Sequence, residues 1–436
     1  MTSFHSVDML LLTYYFPPIK SVGVLRNYYL HREMKKYFRQ VHVLTTSNRT
    51  RLTQEQLPFT AGSLLVAPTF DYRTIGSFIE KGQTHISEEK KRGWILWLLK
   101  INDSFPFNLL FGEGGFVYII YGTIKAVRLI RKTPVSHVYS SFRPYSDHVI
   151  AWLLTLFFPK KITWIADFRD LHVDPMYRHI VWESLQHRVW RRLLSRAALV
   201  TTVSEGLAKH LRRYHPRVHV MRNGIGQLTP VAGDEVLQQK KFTIAYTGSM
   251  DGDERDPAIL LKALQQLIHE KSVPGTKIQL HHAGKDSAMW KALMRKYGLA
   301  ELLCDEGMVP LKKSGIIQRS AHINLLLTSA RPDSTGAFTG KFYEYLAARH
   351  PILLIINGSE DEEFETVFAQ TNAGHLAYAQ DGSIAAVKDF ILAKYSEWDE
   401  TGKVAPVIAQ KDIESFRWPH LAKELIAQPE FSTNAA

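Results

Sequence analysis

Short apolar runs alternate with amphipathic stretches along most of the chain. Asp8–Tyr15, Val41–Thr45, His137–Arg143, Ile162–Ala166, Ala198–Val203 and Val218–Met221 read as strands. Their runs are almost continuously apolar, as in parallel sheets covered on both faces. Between them, Val24–Tyr37, Phe116–Arg131, Asp147–Phe158 and Trp182–Leu194 carry helical spacing. Ser204 is placed to cap a further helix, with Glu205 in its first turn. The rhythm restarts at Phe242–Gly248, with Lys277–His282, Cys304–Val309, His322–Thr328 and Pro351–Ile356 as strands and Pro257–His269 as a helix. Leu64–Ala67 is a weaker strand signal. Between the two series, residues 226–241 lose periodicity and gather Gly and Pro, which predicts a linker. A last helix is expected over Ile413–Ile426.

The most informative stretch is Ala330–Pro351, Ala-Arg-Pro-Asp-Ser-Thr-Gly-Ala-Phe-Thr-Gly-Lys-Phe-Tyr-Glu-Tyr-Leu-Ala-Ala-Arg-His-Pro. A buried strand precedes it and another follows, so the unit is βαβ. Phe342, Tyr345 and Leu346 fall on one helical face. Gly336 and Gly340 permit close backbone approach, and a helix N-terminus attracts anions. Lys341 adds a full charge in the first turn, and Glu344 lies about one turn on. Other glycines end strands or open helices in the same manner: Gly23 after the Pro17-Pro18 loop, and Gly248 after Phe242–Thr247. Seven residues beyond Gly248, in a polar loop, stands Arg255.

This stretch resembles the nucleotide-sugar site of the retaining GT-B glycosyltransferases of group 1, or family 4. The resemblance implies an α/β chain of two doubly wound, Rossmann-like domains facing across a cleft. It implies an acceptor-binding domain over residues 1–226, a nucleotide-sugar domain over 227–410, and a segment over 411–436 that packs back on the first. Glu344 is then expected on the ribose hydroxyls, and Thr339, Gly340, Lys341, Gly248, Gly23 and Arg255 around the donor diphosphate. Arg255 and Lys341 would neutralise the leaving nucleotide diphosphate. On the acceptor side, Arg143, His148, Asp167, Arg169 and Asp170 match the family's pattern, with His148 and Asp170 the catalytic candidates. His148 positions the sugar in that reading, and Asp170 positions or deprotonates an acceptor hydroxyl. As a structural residue, Asp167 is instead a cap or an ion-pair partner of Arg169. One departure is clear: many members carry a glutamate where Gly336 stands, eight residues before Glu344.

Composition narrows the partners. With 54 Lys and Arg against 42 Asp and Glu, the formal charge of +12 favours anionic ones. A glycan or lipid-linked acceptor fits, as does an anionic membrane surface. Lys90–Lys100, with Trp94 and Trp97, reads either as an interfacial helix or as a core helix with a basic end. The basic residues are dispersed and form no nucleic-acid recognition motif, so nucleic acid is not expected. The single cysteine, Cys304, fits a reducing compartment. The expected setting is cytoplasmic, with peripheral contact at the inner membrane face, and no signal peptide is read at the N-terminus. No cofactor and no metal are expected beyond the donor substrate; Asp251-Gly-Asp253 matches the metal motif of the unrelated GT-A architecture in only three letters. The expected reaction is sugar transfer from a nucleotide-diphosphate sugar in surface polysaccharide synthesis, with retention. The alternatives are a non-catalytic partner subunit of the same fold or a nucleotide-sugar epimerase.

Overall fold

A computed structural model describes residues 4–19, 22–47, 62–70, 97, 100–110, 112–173, 180–226, 239–250, 252–332, 336 and 338–432. It divides into two compact units: Met1–Arg222 with Trp418–Ala436, and Asn223–Arg417. Most of Lys90–Lys100, and Asp251, lie outside the described residues.

The first unit holds seven strands: β1 (Phe4–Leu12), β2 (Phe38–Thr46), β3 (Leu64–Ala67), β4 (Val135–Phe142), β5 (Thr163–Phe168), β6 (Leu199–Thr202) and β7 (Val218–Val220). All neighbouring pairs are parallel, in the order β3-β2-β1-β4-β5-β6-β7. The alternation of side chains along β1 shows why such a strand is apolar throughout. Leu10 and Leu12 enter one core with Tyr118, Ile150 and Trp164. Met9 and Leu11 enter another, on the opposite face, with Tyr28, Leu30 and Trp418. Each such leucine contributes about 1.5–3 kcal/mol by leaving water.

The second unit repeats the plan with β8 (Phe242–Thr247), β9 (Ile278–Ala283), β10 (Leu303–Asp305), β11 (Ile323–Ala330), β12 (Ile352–Gly358) and β13 (Gly374–Tyr378). The order β10-β9-β8-β11-β12-β13 is that of a doubly wound sheet, all parallel. Strand β13 was not among the expected elements; its run is short and three of its residues are only half-buried. The expected helix over Ile413–Ile426 is two pieces instead. A 3-10 segment, Gln410–Phe416, packs in the second unit, and the helix Trp418–Ile426 packs in the first. Arg417 between them is extended, at φ −82 and ψ 141. Pro419, lacking an N–H, is tolerated only in the first turn of the new helix.

One buried ion pair ties the first unit together. Arg26 and Asp167 are 3% and 0% exposed, and meet through two hydrogen bonds of 3.0 and 2.8 Å. Thr201 donates to the same carboxylate at 2.8 Å, and Arg26 also donates to the Arg222 carbonyl at 3.1 Å. Burial alone pushes Asp167 up, but the charge and hydrogen bonds of Arg26, with Thr201, hold it below the usual carboxylate range. Its partner is therefore Arg26, not the Arg169 two residues away. Replacing one member leaves the other buried without its opposite charge, at a cost of about 3–5 kcal/mol. Chemical denaturation of Arg26→Leu should show a loss of that order. The double variant Arg26→Leu/Asp167→Leu should recover much of it.

Candidate functional site

Parallel sheets leave their carboxyl ends open to ligands, and in the second unit the expected residues gather there. Tyr246, Thr247 and Gly248 end β8; Lys341 and Glu344 rise from the helix Gly340–Ala348; Arg255 ends the 3-10 turn Gly252–Arg255. Three donors meet at one backbone oxygen, the carbonyl of Ser249. Tyr246 Oη donates at 2.6 Å, Arg255 Nη1 donates at 3.0 Å, and Lys341 Nζ stands 3.5 Å away. The Lys341 ammonium also lies 4.9 Å above the Tyr246 ring, a cation–π contact. Two positive groups are thus held side by side.

Gly248 serves this arrangement by having no side chain. Its φ is +137, and a Cβ there would lie 1.9 Å from Lys341 Nζ. Its N–H is already donated to the Ala283 carbonyl at 2.8 Å, so what it offers is space. Gly284, which ends β9 in the same way, is equally cramped: a Cβ would come within 2.0 Å of the Gly248 carbonyl. Sequence reading passed over Gly284, although a glycine after a strand was the signal used for Gly248.

Glu344 is half-buried. Its Oε2 accepts from Gln318 Nε2 at 2.8 Å, and Gln318 also donates to Thr247 Oγ1 at 2.9 Å. Oε1 has no hydrogen-bond partner among the described residues. Burial raises its pKa, while Gln318 and Lys341 oppose the shift. Gln318, from the helix Leu311–Ser320, was missed because nothing in its local sequence sets it apart. Thr339 precedes the Gly340–Ala348 helix in extended conformation without a side-chain cap, and its carbonyl takes the Phe342 N–H at 3.1 Å. Met308, in the loop after β10, is 72% exposed.

Gly336 differs from expectation. Its φ is +68 and its N–H is bonded to Asp361 Oδ2 at 2.7 Å, so this amide is not on offer to a ligand. The carboxylate of Glu363 lies against its α-carbon, with Oε2 1.9 Å from where a Cβ would be. An acidic group stands at this place after all, delivered from the helix Glu362–Thr371.

In the first unit the candidates separate. Gly23, at the start of the helix Val22–Met34, lies under the guanidinium of Arg169, and a Cβ there would sit 2.0 Å from Arg169 Nη1. Asp170 is exposed just past β5. His148 is not at a surface: it is 0% exposed, Nδ1 is 2.7 Å from Ser140 Oγ, and Phe142, Trp164, Phe168 and Trp190 surround the ring. Burial pushes its pKa down to about 3, against a small opposing pull from Asp167. In this structure His148 is therefore a buried core residue, and its Nε2 has no hydrogen-bond partner among the described residues.

Its neighbour Asp147 is the unforeseen titratable group. Wholly buried, it accepts from the Tyr14 N–H at 2.8 Å and from Tyr118 Oη at 2.9 Å. Burial pushes its pKa up to about 7, despite those bonds and Arg169. A carboxyl raised in the folded state contributes stability that is full below its unfolded pKa, near 4, and is lost as pH rises through about 7. Asp147→Asn lacks this dependence. Melting temperatures of wild type and variant should therefore diverge in the variant's favour between pH 4 and 7.

No family model matches the chain, and no curated protein matches it in sequence. Solved structures do match. Sucrose-phosphate synthase from Thermosynechococcus elongatus is 13% identical, with 96% of this chain and 97% of that one covered, at a TM-score of 0.58. The lipopolysaccharide outer core galactosyltransferase WaaB is 13% identical over 96% and 98%, at 0.56. A glycosyltransferase from Rickettsia africae is 12% identical over 97% of both chains, at 0.56. These likenesses, with two parallel sheets of seven and six strands in doubly wound order, show that the chain has the GT-B fold.

Proposed function

We propose that this chain is a glycosyltransferase that takes its sugar from a nucleotide diphosphate bound by the Asn223–Arg417 unit. The observation that carries the reading is the pairing of Lys341 and Arg255 on the Ser249 carbonyl, with Glu344 one helical turn along. Two cations held ready cost no reorganisation when a diphosphate leaves, and such fixed electrostatics is usually the largest catalytic term. Glu344 supports ribose binding, since one carboxylate oxygen is fixed by Gln318 and the other is left to accept from a hydroxyl. Glu363 takes the place of the acidic residue that position 336 lacks, next to the donor sugar. Asp170, exposed beyond β5, is the candidate to position an acceptor hydroxyl. Retention of configuration, charge neutralisation by the protein's own cations without a metal, and a role in surface polysaccharide synthesis belong to the same reading. Similarity to the proteins named above supports it at the level of fold.

Thermal-shift measurement against a panel of nucleotide sugars tests the donor site. A ligand at about a hundred times its Kd stabilises by about 2.7 kcal/mol. The wild type should show such a shift with one donor. Lys341→Ala and Glu344→Ala should each abolish it while remaining folded. A full shift in both variants, or none in the wild type with any donor, overturns the reading.

The acceptor is read as a glycan or lipid-linked glycan, met at an anionic membrane surface. No described helix is long and apolar enough to cross a membrane. However, the helix Gly115–Lys132 exposes Phe116, Ile120 and Ile124 at 41, 51 and 41%, one face of the helix, and its last turn carries Arg131 and Lys132. An apolar stripe with a basic end supports interfacial docking. Wild-type protein should float with vesicles containing anionic lipid, and less so at high salt. Ile120→Asp/Ile124→Asp should stay in the dense fraction. Flotation indifferent to lipid charge and to this double variant removes the membrane part.

A further inference from the structure

In the first unit a cavity of about 50 Å³ opens beside the end of β4. It is lined by Asp103, Asn108, Glu113, Arg143, Tyr145 and His172, among others. Its position is not arbitrary. The strand order reverses between β1 and β4, which are neighbours in the sheet. Crevices at such reversals, past the strands' carboxyl ends, are where open α/β sheets take ligands. Glu113 on the cavity wall is fastened to the β1 side by the Tyr15 hydroxyl, which donates to it at 3.0 Å.

Two of the lining side chains are buried yet unsatisfied. Asn108 is 5% exposed, and neither its Nδ2 nor its Oδ1 has a hydrogen-bond partner among the described residues. Tyr145 is 6% exposed, and its hydroxyl has none either. Leaving such groups unpaired is costly, and a folded protein seldom tolerates several around one space. Packing does not explain them: an apolar residue at either position would fill the same space without the penalty. A carboxamide and a phenol each donate and accept, which is the complement of a hydroxyl group. The charges around them are mixed, with Asp103 and Glu113 against Arg143. An anion such as phosphate would meet two carboxylates there, and an ammonium group would meet the guanidinium. A neutral, hydroxyl-bearing group is the chemistry that suits all of the walls. The volume admits only a few water-sized groups, since one needs about 10–15 Å³ of such space. That is a hydroxymethyl or a pair of ring hydroxyls, not a whole sugar ring.

We propose that this cavity is an acceptor subsite that receives the hydroxyls of a neutral sugar, with Asn108 and Tyr145 as its specificity-determining residues. The proposal rests on the glycosyltransferase reading for the word acceptor, but the binding itself needs no nucleotide. Saturation-transfer NMR on the full chain, with methyl α- and β-glycosides of glucose, galactose and mannose as probes, measures that binding alone. The wild type should bind at least one of them. Asn108→Ala should weaken it by about tenfold and Tyr145→Phe by about fivefold, in line with one or two lost hydrogen bonds. The melting temperature of Asn108→Ala should be unchanged or higher, because an unpaired buried amide has been removed. No binding of any probe to the wild type overturns the proposal. So does wild-type affinity in Asn108→Ala, or a lowered melting temperature in that variant with affinity intact, which assigns Asn108 to structure. Lys341→Ala separates the two readings: it should bind the glycoside as the wild type does. Glycoside binding without any nucleotide-sugar binding sinks the enzymatic reading and leaves the subsite standing.

Discussion

Two like charges stay together only if something of opposite sign lies between them. In the second unit a peptide carbonyl, that of Ser249, lies between Lys341 and Arg255, with the face of Tyr246 beneath the ammonium. A carbonyl dipole and a ring quadrupole steady the two cations without bringing a full negative charge of their own. The absence of a Cβ at Gly248 follows from the same demand, because the ammonium occupies the space where a side chain would be, whereas Gly284 is cramped by the Gly248 carbonyl.

The first unit handles its charges in the opposite way. Arg26 and Asp167 neutralise each other inside the sheet's flank, and the pair holds the β5 and β6 ends to the Val22–Met34 helix. Asp147 is buried and held by a backbone N–H and a phenol. What stays outside is Arg169 above Gly23 and Asp170 beyond the strand end. Acids and bases are sorted here by depth, with neutralised or proton-holding groups within and charged ones at the rim.

Local pattern made much of this legible. Twelve of the strand runs and the βαβ unit around Gly340–Ala348 follow from apolar periodicity, because a strand buried on both faces leaves a continuous apolar run. Lys341 and Glu344 were found because they share one helix with a recognisable face. Pairings across long separations were not legible. Nothing near Asp167 names Arg26, 141 residues away, and nothing near Gly336 names Glu363. Ser249 was invisible for another reason: its backbone does the work, so its side-chain identity is immaterial. For His148 the helical position was right, but whether it faces solvent is decided by Phe142, Trp164, Phe168 and Trp190, which come from three strands or helices besides its own.

The helix Trp418–Ile426 and Phe431 belong to the core of the first unit: Trp418 stacks on Tyr29, Phe431 lies tilted against Phe4, and the Phe431 carbonyl is bonded to His137. The second unit is therefore an insertion within the first, not a successor to it. During synthesis the Asn223–Arg417 sheet has all its parts on hand before its predecessor does. The earlier sheet waits, one face of β1 only partly covered by the Val22–Met34 helix, until the ribosome has released the helix Trp418–Ile426. Order of translation and order of completion are reversed in this molecule, and a chain cut short near its end loses the lobe that was made first.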